Sequence, residues 1–227
     1  GLMPQATDLS GIQYRTLNTR KGDAVQALRV QCDRHLYKQA TQKIIKNTNI
    51  DVIEGEVKGL IVEKNKVLGV VTDKHTVMGE RTILTTGTFL NGKMYSGDEV
   101  VVGGRSGDLS SIPLAKKLYQ LNIPMGRLKT GTPPRALKSS INWDKTEEDY
   151  GDTEPTPFSL FTKNFNPKNE PCHTVRTNLE THSIIAKNAN QSPMYNGEIE
   201  GVGPRYCPSI EDKIYKFKDK TRHQIFL

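Results

Sequence analysis

Between Asp51 and Thr86 the chain carries four runs of strand-forming residues in close succession, at 51–57, 59–63, 67–72 and 81–86. Lys64-Asn65-Lys66 separates the second from the third as a hairpin-like turn. The fourth reads as a buried strand that opens onto Thr85-Thr-Gly-Thr-Phe-Leu90. Upstream, Val25, Leu28, Cys32, Leu36, Ala40 and Ile44 recur every three or four residues. That spacing predicts one amphipathic helix from Asp23 to Lys46, with Cys32 buried on its stripe. The residues before it show no periodicity and read as loop. A helix, a strand, a β-meander and a last strand ending in a Gly-Thr turn point to a nucleotide-binding α/β domain.

After Gly92 the texture changes. Gly103-Gly-Arg-Ser-Gly-Asp-Leu-Ser-Ser-Ile-Pro113 is a glycine-rich loop entering a helix, with Ser111 as N-cap and Pro113 in the first turn. Leu114, Leu118 and Leu121 form the inner face of that helix. The loop at 124–135 is basic at Arg127, Lys129 and Arg135. Residues 136–171 are polar and irregular, with Glu147-Glu-Asp149 as a solvated loop, and read as part of an inserted substrate-side subdomain. Thr177-Asn-Leu-Glu180 and Ser209-Ile-Glu-Asp212 have the form of capping boxes, the first opening a helix that reaches Asn188.

Lys and Arg number 32 against 25 Asp and Glu, a net charge of +7 over 227 residues. Such a balance suits a polyanion such as nucleic acid or a nucleotide cofactor, and equally an ordinary basic surface. No apolar run approaches the roughly 20 residues of a membrane span, so no membrane is expected. The three cysteines, Cys32, Cys172 and Cys207, form no CxxC pair. This argues against a disulfide framework or structural zinc, and for a reducing, cytoplasmic setting. None of the five histidines has metal-ligand spacing, and His173 reads as a neutral surface residue.

Cys207 lies two residues before Ser209, within Gly201-Val-Gly-Pro-Arg-Tyr-Cys-Pro-Ser-Ile-Glu-Asp-Lys213. A helix start carries unsatisfied N–H donors and partial positive charge, which with Arg205 favours a thiolate. Glu211 and Asp212 oppose this. Two other uses remain open: Cys207 simply fills a tight turn, or Gly201 and Gly203 let the backbone receive a phosphate.

Several blocks resemble the MnmG (GidA) family of tRNA-modifying flavoproteins. They are Thr86-Gly-Thr-Phe-Leu-Asn-Gly-Lys93, Gly103-Gly-Arg-Ser-Gly-Asp108, Ser111-Ile-Pro-Leu114, Gly126-Arg-Leu-Lys-Thr-Gly-Thr-Pro-Pro-Arg135, Ser192-Pro-Met-Tyr195 and the stretch from Ile199 to Lys213. The resemblance implies an α/β chain with a glutathione-reductase-like FAD/NAD(P)-binding domain, incomplete, with an inserted α+β subdomain. It implies FAD and NAD as cofactors, tRNA as substrate, the GTPase MnmE as partner, and a homodimer. The implied reaction adds a carboxymethylaminomethyl or aminomethyl group to C5 of wobble uridine 34, with methylenetetrahydrofolate as one-carbon donor. A generic small-molecule flavin oxidoreductase and a non-catalytic binding or dimerisation module are the alternatives.

Carried over by position, the resemblance makes Val57, Gly87, Thr88 and Ser111 FAD contacts. It makes an NAD segment of Gly203, Pro204, Arg205, Tyr206, Cys207, Pro208, Ser209, Ile210, Glu211, Asp212, Lys213, Ile214, Tyr215, Lys216 and Phe217. Cys207 matches a cysteine considered catalytic, as nucleophile at the uridine ring or participant in methylene transfer. The expected division is 1–134, a partial FAD-binding domain; 135–200, an inserted substrate- and NAD-side subdomain; and 201–227, the NAD-segment helix and the return toward the FAD domain. The family's G-x-G-x-x-G turn has no counterpart before Gly11. The expectation is therefore a piece of a larger protein that binds FAD poorly and is inactive alone.

Overall fold

The computed structural model describes residues 1–199, 201 and 209–227. In chain order these form α1 (Leu2–Ser10), β1 (Gly11–Leu17), β2 (Ala27–Cys32), α2 (Arg34–Lys46), β3 (Val57–Glu63), β4 (Lys66–Thr72) and β5 (Thr76–Met78). There follow β6 (Lys93–Ser96), β7 (Glu99–Val102), α3 (Ile112–Gln120), β8 (Glu147–Asp149), β9 (Cys172–Arg176), α4 (Leu179–Lys187), α5 (Ile210–Lys216) and β10 (Gln224–Phe226). Two compact units result: Gly1–Asp51 with Pro133–Thr181 and Asp219–Leu227, and Val52–Thr132 with His182–Lys218. Helix and sheet are mixed. Every ladder described is antiparallel, and Leu90 with Ser111 forms the parallel bridge.

In the first unit the structure departs most from expectation. The N-terminal residues are a helix and a strand rather than loop, and the long helix from Asp23 is in fact β2 followed by α2. Asp33 is the reason. Its carboxylate accepts the N–H groups of His35 at 2.8 Å and Leu36 at 2.9 Å, capping a helix that can begin only there. Cys32 therefore ends a strand, half-buried, rather than lying on a helical stripe. β1 binds the later segment through side chains: the Asp152 carboxylate accepts from both the N–H and hydroxyl of Thr16, each at 2.7 Å. Arg15 is paired with Asp149. The Asp8 carboxylate accepts from the N–H groups of Phe158 and Ser159, both at 2.8 Å, and from the Thr162 hydroxyl at 2.5 Å.

Glu147-Glu148-Asp149 is not a solvated loop but β8, in register with β9 through Glu147↔Thr174 and Asp149↔Cys172. His173 is likewise no free surface residue. Its Nδ1 lies 2.6 Å from the Thr146 hydroxyl and its ring packs edge-on to Trp143.

In the second unit, β3, β4 and β5 form a meander over which α3 packs. Leu60, Leu114 and Leu118 are its buried core, with Val57, Leu90 and Leu121 packed against them. Of the expected strand at 51–57 only Val57 is in a ladder: β3 begins there and takes in the 59–63 run, while residues 51–56 form no strand, with Val52 71% and Ile53 52% exposed. Lys64 and Asn65 both have positive φ, 45° and 65°, the paired left-handed conformation that joins two right-twisted strands most tightly. The expected strand at 81–86 is absent. Ile83 is 86% exposed and Leu84 42%, and no ladder among the described residues takes up their backbone.

Candidate functional site

The turn after 81–86 and the start of α3 are tied into one knot. The Thr88 hydroxyl donates to the Gly104 carbonyl at 2.8 Å. Ser111 N–H donates to the Phe89 carbonyl at 2.8 Å, and Ser110 donates its hydroxyl to the same oxygen at 3.0 Å. Arg127 reaches the Asn91 carbonyl at 2.8 Å. A side chain at Gly104 would run into the Phe89 ring, 2.6 Å away, so that glycine serves internal packing. Gly87 differs: with φ at 57° it turns the chain, and a Cβ there would meet only Phe89, at 3.9 Å.

Three of the expected FAD contacts, Gly87, Thr88 and Ser111, are thereby brought together. The Ser111 hydroxyl makes no cap bond to α3, although Ser111 occupies the N-cap. A half-buried hydroxyl at a helix start, beside an open glycine turn, suits a polar cofactor group. Val57 is half-buried in the packing under α3.

The second expected segment is described only from Ser209 onward. Gly203, Pro204, Arg205, Tyr206, Cys207 and Pro208 lie outside the described residues. The Ser209 capping box is present as expected: its hydroxyl accepts from Asp212 N–H at 3.1 Å, and the Asp212 carboxylate accepts from Ser209 N–H at 3.3 Å. Asp212 also accepts the Tyr195 hydroxyl at 3.0 Å and pairs with Lys216 at 3.1 Å. Burial pushes its carboxyl up, but the bonds from Lys216, Tyr195 and Ser209 outweigh this, and it lies below the usual aspartate value.

The anion held at this helix start is therefore the chain's own Asp212. Tyr215 stacks at a tilt on Tyr195, with ring centres 5.2 Å apart, and Ile214 is buried. Burial first, then the bond to Asp212, pushes the Tyr195 phenol up to about 12. Sequence reasoning did not assign Tyr195 a role, although it stands in the quoted Ser192-Pro-Met-Tyr195 block. Among the described residues no cluster of His, Cys, Asp or Glu is arranged to hold a metal, and no helix is long and apolar enough to cross a membrane.

The family model described as glucose inhibited division protein A matches residues 1–227, the entire chain. The chain belongs to this family. It is 48% identical over 229 residues to the tRNA uridine 5-carboxymethylaminomethyl modification enzyme MnmG of Thermodesulfovibrio yellowstonii. It is 51% identical over 231 residues to the MnmG enzyme of Buchnera aphidicola subsp. Cinara cedri. All of this chain is covered in both comparisons, but only 37% and 36% of those relatives. The structure of Aquifex aeolicus GidA in its form I crystal matches the whole chain with a TM-score of 0.89 at 42% identity, over 39% of that protein. The GidA-family chain thus spans little more than a third of the relatives it matches, and its structure aligns over its whole length with that of Aquifex aeolicus GidA.

Proposed function

We propose that the whole protein is an FAD- and NADH-dependent tRNA-modifying enzyme. With the GTPase MnmE, it places a carboxymethylaminomethyl or aminomethyl group on C5 of wobble uridine 34, drawing one carbon from methylenetetrahydrofolate. The observation that carries this reading is near-half identity along all 227 residues to relatives named for that uridine modification. A glutathione-reductase-like FAD domain, a homodimer and a cytoplasmic setting belong to the same proposal.

Gly87, Thr88 and Ser111 would hold FAD, which supplies two-electron redox chemistry when bound. What the chain itself contributes there is an open turn and a hydroxyl not spent on its own helix. Val57 completes the set. Residues 203–217 would face NAD, with the Ser209–Asp212 box and the Tyr195 bond fixing the far end of that segment.

Cys207 is the proposed catalytic thiol, as nucleophile at the uridine ring or participant in one-carbon transfer. The test is a Cys207→Ser substitution in the whole protein, with tRNA nucleosides read by mass spectrometry. Loss of the C5 modification with flavin retained is expected. An unchanged nucleoside profile overturns the role of Cys207, and absence of any such modification with the unsubstituted protein and MnmE overturns the function itself.

A further inference from the structure

An open cleft in the first unit is lined by Lys145, Glu147, Arg176, Thr177, Asn178 and Arg222 together with the β9 backbone. Three segments distant in sequence supply it, and they are held firmly. Glu147 pairs with Thr174 in the β8–β9 register. Thr177 N–H donates to the His223 carbonyl at 2.9 Å, and His223 N–H returns a bond to the Thr177 hydroxyl at 2.9 Å. That reciprocal clamp, made by two buried residues, sets Arg222 beside the end of β9.

Arg176 is spent on Glu147, 2.6 Å away. Lys145 and Arg222 have no ion-pair partner among the described residues. The cleft therefore carries three cations against one carboxylate, two of them uncommitted.

We infer that this cleft binds the phosphodiester backbone of RNA, with Lys145 and Arg222 as phosphate contacts; this rests on the reading of the whole protein as a tRNA-modifying enzyme. The lining suits a phosphate chain better than a nucleotide cofactor. Among the described residues Val175 is the one apolar residue of the lining and none is aromatic, so none of them offers a platform for a base. A phosphate chain needs only fixed cations on a polar, open surface, and a net charge of +7 favours its approach.

The experiment compares the unsubstituted protein with Lys145→Gln/Arg222→Gln for binding of an unmodified tRNA transcript across a salt series. A control of equal charge, Lys43→Gln/Lys46→Gln, removes two exposed lysines of α2. Each lost phosphate contact should flatten the log–log salt slope by about 0.9 and weaken binding roughly tenfold near 0.1 M salt. The cleft variant should show about twice that slope change, and the control little. Equal losses in both variants, or no change in the cleft variant, overturn the assignment while leaving the tRNA reading intact. No tRNA binding by the unsubstituted protein removes both.

Discussion

The Tyr195 hydroxyl donates to the Asp212 carboxylate at 3.0 Å across seventeen positions, closing a loop whose sequence contains Cys207. Asp212 is at once the far half of a capping box and the partner of Lys216, so one carboxylate joins the start of α5 to the 192–196 segment. Tyr195→Phe removes the bond and leaves the ring contact with Tyr215. The expected cost is about 1 kcal/mol of local stability. Amide exchange in α5 should accelerate about fivefold. In the whole protein, uridine modification should fall more than flavin content. Unaltered exchange would show that the box alone holds the helix start.

The same pair sets a pH dependence. The Tyr195 phenol is raised from 10.0 to about 12, so the neutral form is favoured by folding. Its contribution is fully present below pH 10 and is lost as pH rises toward about 12. Asp212 has the opposite sign: lowered from 3.8, it contributes above that pH and loses its effect on further acidification. Phenolate absorbance should show Tyr195 among the late-ionising tyrosines, and Tyr195→Phe should remove its share of the alkaline loss. Tyr195 ionising near the ordinary phenol value of 10.0 would contradict this.

Asp8 is the strongest polar tie between the N-terminal helix and the 158–162 segment, through three bonds between 2.5 and 2.8 Å. Asp8→Ala leaves two N–H groups and a hydroxyl without their acceptor. A loss of about 2 kcal/mol is expected, lowering Tm by roughly 4–8 °C. Thermal unfolding followed by circular dichroism checks it, and a Tm within 1 °C of the unsubstituted protein, roughly the scatter of neutral surface changes, would show water replacing the carboxylate.

What the sequence shows best is what is encoded locally. The Lys64-Asn65 turn, the inner face Leu114 and Leu118, and the Ser209–Asp212 box all stand where their patterns place them. The stretch from Val25 to Ile44 misleads because two periods coincide: Leu28 and Cys32 fit helical spacing, yet Leu28, Val30 and Cys32 also alternate as in β2. Asp33 was the available signal for the break. The Thr177 box fails for a tertiary reason. Its hydroxyl accepts from His223 N–H, and Asn178 caps α4 instead, accepting from Thr181 N–H at 2.8 Å. Similarly, β8 and the ties of Asp8 and Asp152 depend on partners more than 130 positions away in several cases, which no local pattern contains.

Ser111 separates a structural from a cofactor role at one position. An N-cap serine that bonds its helix normally contributes about 1 kcal/mol, and its replacement by alanine is felt as lost stability. Here the hydroxyl makes no such bond, and Ser111 is held by its backbone, through Phe89 and Asn91. Ser111→Ala should therefore cost only a few tenths of a kcal/mol, within the ordinary range of surface substitutions. If the hydroxyl meets FAD, the purified whole protein should lose bound flavin, read as a lower ratio of flavin to protein absorbance. Full flavin occupancy with unchanged stability would remove Ser111 from the cofactor site. A drop in Tm of several degrees would instead show that the hydroxyl caps α3 after all.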